Sequence, residues 1–153
     1  MAKMNKMITI LMADDDPDDR VLIQEAFEES KLNNHLFYVK DGEELLDYLE
    51  QRGKYAAPIE APRPDLILLD LNMPKKDGRE ALKEIKADPE LRQIPIVVLT
   101  TSHVEEDIYH TYDLGGSSYI TKPTTFDGLV EVIQSLSSYW GETVQLPPEN
   151  RGD

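Results

Sequence analysis

The chain has 153 residues, a formal net charge of −14, 40% hydrophobic residues and no cysteine. This length and apolar content fit one domain with its own core. The lack of cysteine excludes disulfides, thiol catalysis and cysteine-ligated zinc, and it suits a reducing cytoplasm. A domain this acidic repels phosphate backbones and anionic lipid, so nucleic acids and membrane surfaces are poor direct partners. We therefore expect a soluble, cytoplasmic protein.

Short apolar runs alternate along the chain with segments of helical period. The runs predict five buried strands, at residues 8–13, 35–39, 66–70, 94–100 and 118–121. The helical spacing predicts five helices, at residues 17–27, 42–52, 78–88, 105–114 and 126–139. The longest loop, residues 53–64, contains three prolines. Five βα units predict an α/β fold, (βα)5, with a doubly wound parallel sheet.

Polar residues follow the predicted strands at their carboxyl ends, the edge where open parallel sheets bind ligands. Aspartates occupy residues 14–16 after the first strand, and Asp70 ends the third. Thr100 ends the fourth strand, and Lys122 follows the fifth. Carboxylates that converge in this way repel one another unless a cation joins them, and Mg²⁺ fits best. A metal, an ammonium and a hydroxyl around Asp70 would stabilise a transferring phosphoryl group, with Asp70 as the nucleophile.

The segments that carry these residues resemble the motifs of response-regulator receiver domains, the CheY-like family. They are Ala13-Asp14-Asp15-Asp16, Leu69-Asp70-Leu71-Asn72-Met73-Pro74, Asp77-Gly78, Leu99-Thr100 and Tyr119-Ile120-Thr121-Lys122-Pro123. The resemblance extends over residues 7–140. It implies the flavodoxin-like strand order 2-1-3-4-5 and a cis peptide bond before Pro123.

The resemblance also implies a role for each residue at the strand ends. Asp70 would be the phosphoacceptor, Thr100 the switch hydroxyl and Lys122 the lysine that pairs with the phosphoryl group. Tyr119 matches the aromatic residue that changes rotamer on activation. Mg²⁺ would be held by three carboxylates and one backbone carbonyl, from Asp14 (through water), Asp15, Asp70 and Asn72. Such a chain is a phosphoacceptor signalling protein and not an enzyme, with at most slow self-catalysed phosphorylation and dephosphorylation.

Other segments resemble the small single-domain regulators that partner phytochrome-type histidine kinases. They are Pro74-Lys75-Lys76-Asp77-Gly78-Arg79-Glu80, Leu99-Thr100-Thr101-Ser102-His103 and the run from Tyr139 to Pro148. This likeness implies a sensor histidine kinase as partner. It also implies a receiver domain over residues 1–142, with a C-terminal tail at 143–153 and no effector domain. The apolar tail residues would either pack on the domain or join helix 4, strand 5 and helix 5 in a homodimer contact.

Three alternatives stay open at this point. The spacing of residues 14–25 matches an EF-hand calcium loop, but Asp19 stands at its obligatory glycine and a strand precedes it. A phosphatase of the haloacid dehalogenase type would use the same nucleophile, but it needs a second aspartate where Asn72 stands. A DNA-binding regulator truncated before its effector is the third. Asp18 and Asp19 are expected only to favour the amino end of the first helix.

Overall fold

A computed structural model describes residues 7–30, 34–57 and 61–147 of the chain. Within these residues, five strands form one parallel sheet in the order β2-β1-β3-β4-β5, which confirms the predicted fold class. The strands are β1 (Ile8–Ala13), β2 (Asn34–Val39), β3 (Leu66–Leu69), β4 (Ile96–Thr100) and β5 (Ser118–Thr121). The helices between and after them are α1 (Pro17–Ser30), α2 (Gly42–Glu50), α3 (Gly78–Ala87), α4 (Glu105–Asp113) and α5 (Phe126–Ser138).

The two most apolar strands, β3 and β4, lie in the interior of the sheet, and every residue of both is buried. Helices cover both faces of a parallel sheet, so such strands have no solvent side and need no polar alternation. β4 begins at Ile96, two residues later than predicted. The regular strand starts after Pro95, because proline has no N–H to donate to the sheet. The Pro95 carbonyl still accepts a hydrogen bond from the Ile67 N–H at 3.0 Å.

The core consists of two clusters, one on each face of the sheet. Apolar residues of α2 and α3 pack against one face; among them are Leu45, Leu46, Tyr48, Ala81, Leu82 and Ile85. Apolar residues of α1 and α5 pack against the other; among them are Ile23, Ala26, Phe27, Leu129 and Ile133. α4 buries little, with Thr111 its one buried residue. This helix is therefore the one least fixed by the core.

Side chains cap the helices and anchor the long loop. The Asp41 carboxylate accepts the Glu44 N–H at 2.8 Å at the start of α2. α2 ends at Glu50, because Gln51 adopts the left-handed conformation, with φ 56°. The loop after it is held down where it returns to the domain, since the Tyr48 hydroxyl donates to the Pro62 carbonyl at 2.8 Å and Ala61 is buried.

The residues after α5 pack on the domain. A π-helical turn, Tyr139–Thr143, follows the helix directly and places Trp140 in the cluster between α1 and α5, where it is 8% exposed. Val144 and Leu146 pack against the same cluster. These apolar residues therefore pack on the domain, which is one of the two arrangements foreseen for them.

One peptide bond differs from the expectation. No cis peptide bond occurs among the described residues, so the prediction of a cis Lys122–Pro123 bond from the resemblance is wrong.

No helix among the described residues is both long enough and apolar enough to cross a bilayer.

The neighbouring aromatic residues Tyr139 and Trp140 allow a matched test of this packing. Trp140→Ala removes a buried indole, and we expect it to lower the free energy of unfolding by about 3–5 kcal/mol. Tyr139 is 53% exposed, so Tyr139→Ala should lower it by less than about 1 kcal/mol. Urea unfolding followed by circular dichroism measures both, and equal losses would contradict the assigned burial.

Candidate phosphoacceptor site

The strand register brings the predicted site residues to one edge of the sheet. Ala13 pairs with Leu69 in the parallel ladder, so the residues that follow them, Asp14 and Asp70, lie side by side. The Asp70 N–H continues this ladder by donating to the Ala13 carbonyl at 3.0 Å. β4 and β5 pair through Thr100 and Thr121, which puts Lys122 next to the end of β4.

Lys122 is the centre of the site. Its Nζ lies 2.7 Å from Asp14 Oδ2, 2.7 Å from Asp19 Oδ2 and 3.0 Å from Asp70 Oδ2, and its side chain is only 8% exposed. Burial alone would lower the pKa of Lys122, but the hydrogen bonds to Asp14 and Asp19 outweigh it and raise this pKa above the ordinary lysine value. The ammonium is therefore a fixed positive charge at any physiological pH.

Asp14 is the most buried carboxylate of the site. Burial raises its pKa, and the hydrogen bond from Lys122 offsets this rise only in part. One oxygen each of Asp14, Asp15 and Asp70 lies within 4.8 Å of the other two. Three hard oxygen ligands at this spacing fit a divalent cation such as Mg²⁺, which prefers carboxylates and water. The donor set therefore suits the predicted metal.

The Asp70 carboxylate is held on both oxygens. Oδ1 accepts the Thr100 hydroxyl at 2.8 Å and the Asn72 N–H at 3.0 Å, while Oδ2 faces Lys122. The start of α3 packs closely against the backbone of Asp70. A Cβ at Gly78 would lie 2.3 Å from the Asp70 carbonyl oxygen, so only glycine fits there. These contacts fix both the position and the orientation of the carboxylate.

Tyr119 contacts the segment that follows β4. Its hydroxyl donates to the Ser102 carbonyl at 2.8 Å, and the Ser102 N–H lies 3.4 Å from Thr100 Oγ1. The Ser102 hydroxyl in turn donates to Asp107 Oδ2 at 2.7 Å. Thr100, Tyr119 and the start of α4 are thus joined through one residue, Ser102.

An ion pair between α3 and α4 was missed by sequence reasoning. Two nitrogens of Arg79 bind the two oxygens of Asp107, each at 2.7 Å, and a third contact reaches Asn72 Oδ1 at 3.5 Å. The hydrogen bonds from Arg79 lower the pKa of Asp107 to about 2. Residues 79 and 107 are 28 positions apart, so only the fold brings them together; a basic residue next to a helix start was their sole local signal.

The contact between Asp19 and Lys122 is the second one that the sequence did not indicate. Asp19 was expected only to favour the amino end of α1, yet its carboxylate binds Lys122. The predicted residues Asp14, Asp15, Asp70, Thr100 and Lys122 all meet in the structure. Asn72 joins them through its N–H, and its metal-binding carbonyl stays a prediction. Tyr119 is connected to them through Ser102, to whose carbonyl it donates a hydrogen bond.

Comparison with known proteins places this geometry in a family. Residues 10–134 match the response regulator receiver domain. The chain belongs to this family. Response regulator Rcp1 of Synechocystis sp. is 46% identical over 138 residues, which are 90% of this chain and 92% of Rcp1. A response regulator of this kind is a signalling protein that receives a phosphoryl group from a histidine kinase.

Solved structures of response regulators agree with the fold, and one of them holds a divalent cation. The Mn²⁺-bound form of Rcp1 is 45% identical and superposes with a TM-score of 0.85, over 92% of this chain and 99% of that one. The phosphorylated cyanobacterial phytochrome response regulator RcpA is 47% identical with a TM-score of 0.87, over 94% and 100%. Receiver domains bind a divalent metal, and the acidic cluster for it is present here.

The ion pair between α3 and α4 predicts a pH-dependent loss of stability. Because the pKa of Asp107 is depressed, the pair stabilises the fold above the unfolded aspartate pKa of about 4 and stops doing so as pH falls through about 2. Arg79 is 40% exposed, so Arg79→Met should lower the free energy of unfolding near neutral pH by only about 1 kcal/mol.

Urea unfolding from neutral pH down to about pH 2.5 tests this, with the difference between wild type and Arg79→Met shrinking below about pH 4. Arg52, an exposed arginine that pairs with Asp47 and Glu50, provides the control. Arg52→Met should change stability by a few tenths of a kcal/mol at most. A difference for Arg79→Met that stays constant with pH would refute the role given to the pair.

Proposed function

We propose that this chain is a stand-alone cytoplasmic response regulator that accepts a phosphoryl group on Asp70 from a phytochrome-type histidine kinase. The observation that carries the proposal is the Asp70 carboxylate, held between the Thr100 hydroxyl and the Lys122 ammonium beside two further carboxylates. The phytochrome assignment is supported by the likeness to RcpA. The stand-alone assignment is supported by the match over 92% of Rcp1.

The chemistry is an in-line transfer from a phosphohistidine of the kinase. An Asp70 carboxylate oxygen forms a bond to phosphorus as the bond from phosphorus to the imidazole nitrogen breaks, and the imidazole leaves with that electron pair. Lys122 pairs with one oxygen of the phosphoryl group, and the Thr100 hydroxyl donates to another. Mg²⁺, held by Asp14 through water, by Asp15 and Asp70, and by the Asn72 carbonyl, would supply further neutralising charge.

The proposed output is a change of surface, not catalysis of a substrate reaction. Thr100, once it is drawn to the phosphoryl group, would disturb the hydrogen bond that it accepts from the Ser102 N–H. Tyr119 donates its hydroxyl to the carbonyl of the same residue and would be affected with it. Tyr119 and the start of α4 then rearrange together, and α4 is the helix with the fewest buried residues. We assign residues 1–142 to the receiver unit and residues 143–153 to its tail, and we expect no direct contact with nucleic acid at a net charge of −14.

The phosphoacceptor assignment predicts the loss of phosphorylation in one variant. Asp70→Asn should abolish the hydroxylamine-labile phosphate that wild type gains from acetyl phosphate and Mg²⁺, because an amide is no nucleophile here. The control is Asp47→Asn, an aspartate of α2 that pairs with Arg52 and whose side chain is 45% exposed; this variant should label like wild type. Intact-protein mass spectrometry counts the adduct, and a phosphorylated Asp70→Asn variant would sink the assignment.

We further propose that activation favours a homodimer through α4, β5, α5 and the tail. Exposed aromatic residues on α4 support this surface: Tyr109 is 66% exposed and Tyr112 is 52% exposed. An apolar surface of this kind is typical of an association site.

Sedimentation velocity with Mg²⁺ and beryllofluoride, a mimic of the phosphoryl group, tests the dimer. Tyr109→Ser should lower the dimer fraction severalfold because it removes apolar contact area at this surface. Val21→Ser, which changes an exposed apolar residue of α1, should leave it unchanged. The surface is wrongly assigned if both variants weaken association equally, or if wild type stays monomeric.

A further inference from the structure

Every N–H of the Lys122 ammonium has a carboxylate partner. An ammonium carries three donors, and the three acceptors lie on Asp14, Asp19 and Asp70 at 2.7, 2.7 and 3.0 Å. The side chain is 8% exposed, so water does not compete freely for these donors. A phosphoryl oxygen can therefore bind Lys122 only by taking the place of one of these contacts.

Asp19 differs from the other two partners of Lys122. Asp14 and Asp70 belong to the cluster of oxygens that fits a divalent cation, whereas Asp19 does not. A bound cation would neutralise the first two carboxylates but leave the charge of Asp19 to Lys122 alone. Asp19 is also the most exposed of the three, at 31% against 1% and 9%, and its contact is the one that can open into solvent.

We propose that Asp19 is a positioning residue that holds Lys122 in the resting site and competes with the phosphoryl group for it. The proposal rests on the function assigned to Asp70 above. In the phosphorylated protein, the phosphorus atom separates the outer phosphoryl oxygens from the Asp70 carboxylate, so these oxygens lie farther from Asp70 than Oδ2 does. To reach one of them, Lys122 Nζ must leave the position in which it contacts all three carboxylates. Asp19 opposes that movement by its charge-assisted hydrogen bond to Lys122. Asp19 thereby weakens the phosphorylated state relative to the resting state.

Asp18 provides a matched control for this role. Asp18 and Asp19 both lie in the first turn of α1, so changing either to asparagine removes one negative charge from the amino end of the same helix. Effects on helix stability and net charge are therefore shared. Of these two aspartates, Asp19 is the one whose carboxylate binds Lys122.

The test is the affinity for beryllofluoride in the presence of saturating Mg²⁺, measured by isothermal titration calorimetry. Asp19→Asn should bind about three- to fivefold more tightly than wild type, the upper part of the range for a partly exposed charge pair. Asp18→Asn should stay within about twofold. Because the effect is electrostatic, the gain of Asp19→Asn should shrink at high salt.

A double-mutant cycle separates competition for Lys122 from a general charge effect. In a Lys122→Met background, Asp19→Asn should change the affinity by less than about twofold, since the shared partner is gone. An equal gain in both backgrounds would overturn the proposal, as would unchanged or weaker binding by Asp19→Asn. If wild type does not bind beryllofluoride, or Asp70→Asn binds it equally, the function assigned to Asp70 fails first and the proposal fails with it.

Discussion

The whole site depends on one buried ammonium. Lys122 stands among Asp14, Asp19 and Asp70 with little access to water, and without it three carboxylates would be gathered at one sheet edge with no neutralising side chain. Desolvation makes such a gathering costly unless each charge is paired. The lysine therefore allows the acidic pocket to exist before any cation arrives, and it keeps the phosphoacceptor oriented.

The backbone provides this arrangement through the sheet register. β1, β3, β4 and β5 run parallel, so their carboxyl ends supply the two aspartates, the threonine and the lysine in neighbouring positions. Gly78 lets α3 close against the strand end that carries Asp70. The fully buried strands β3 and β4 make this frame rigid. α4 buries little of its surface, so it can move when the site changes.

Local patterns predicted most of the fold and the core of the site. Apolar runs and helical periodicity are properties of adjacent residues, and the aspartates, Thr100 and Lys122 follow from one rule about strand ends. The contacts that the sequence did not indicate join distant segments: Asp19 meets Lys122, and Arg79 meets Asp107. Asp19 had a sufficient local explanation at a helix start, and only the packing of α1 shows its contact with Lys122.

The central claim is that Asp70 is the group that receives phosphate. Borohydride reduction of the phosphorylated protein converts an aspartyl phosphate to homoserine, and peptide mass spectrometry then locates the converted residue. The account predicts homoserine at position 70 and at none of positions 14, 15, 16 or 19. Homoserine at one of the other aspartates, with Asp70 unchanged, would contradict it.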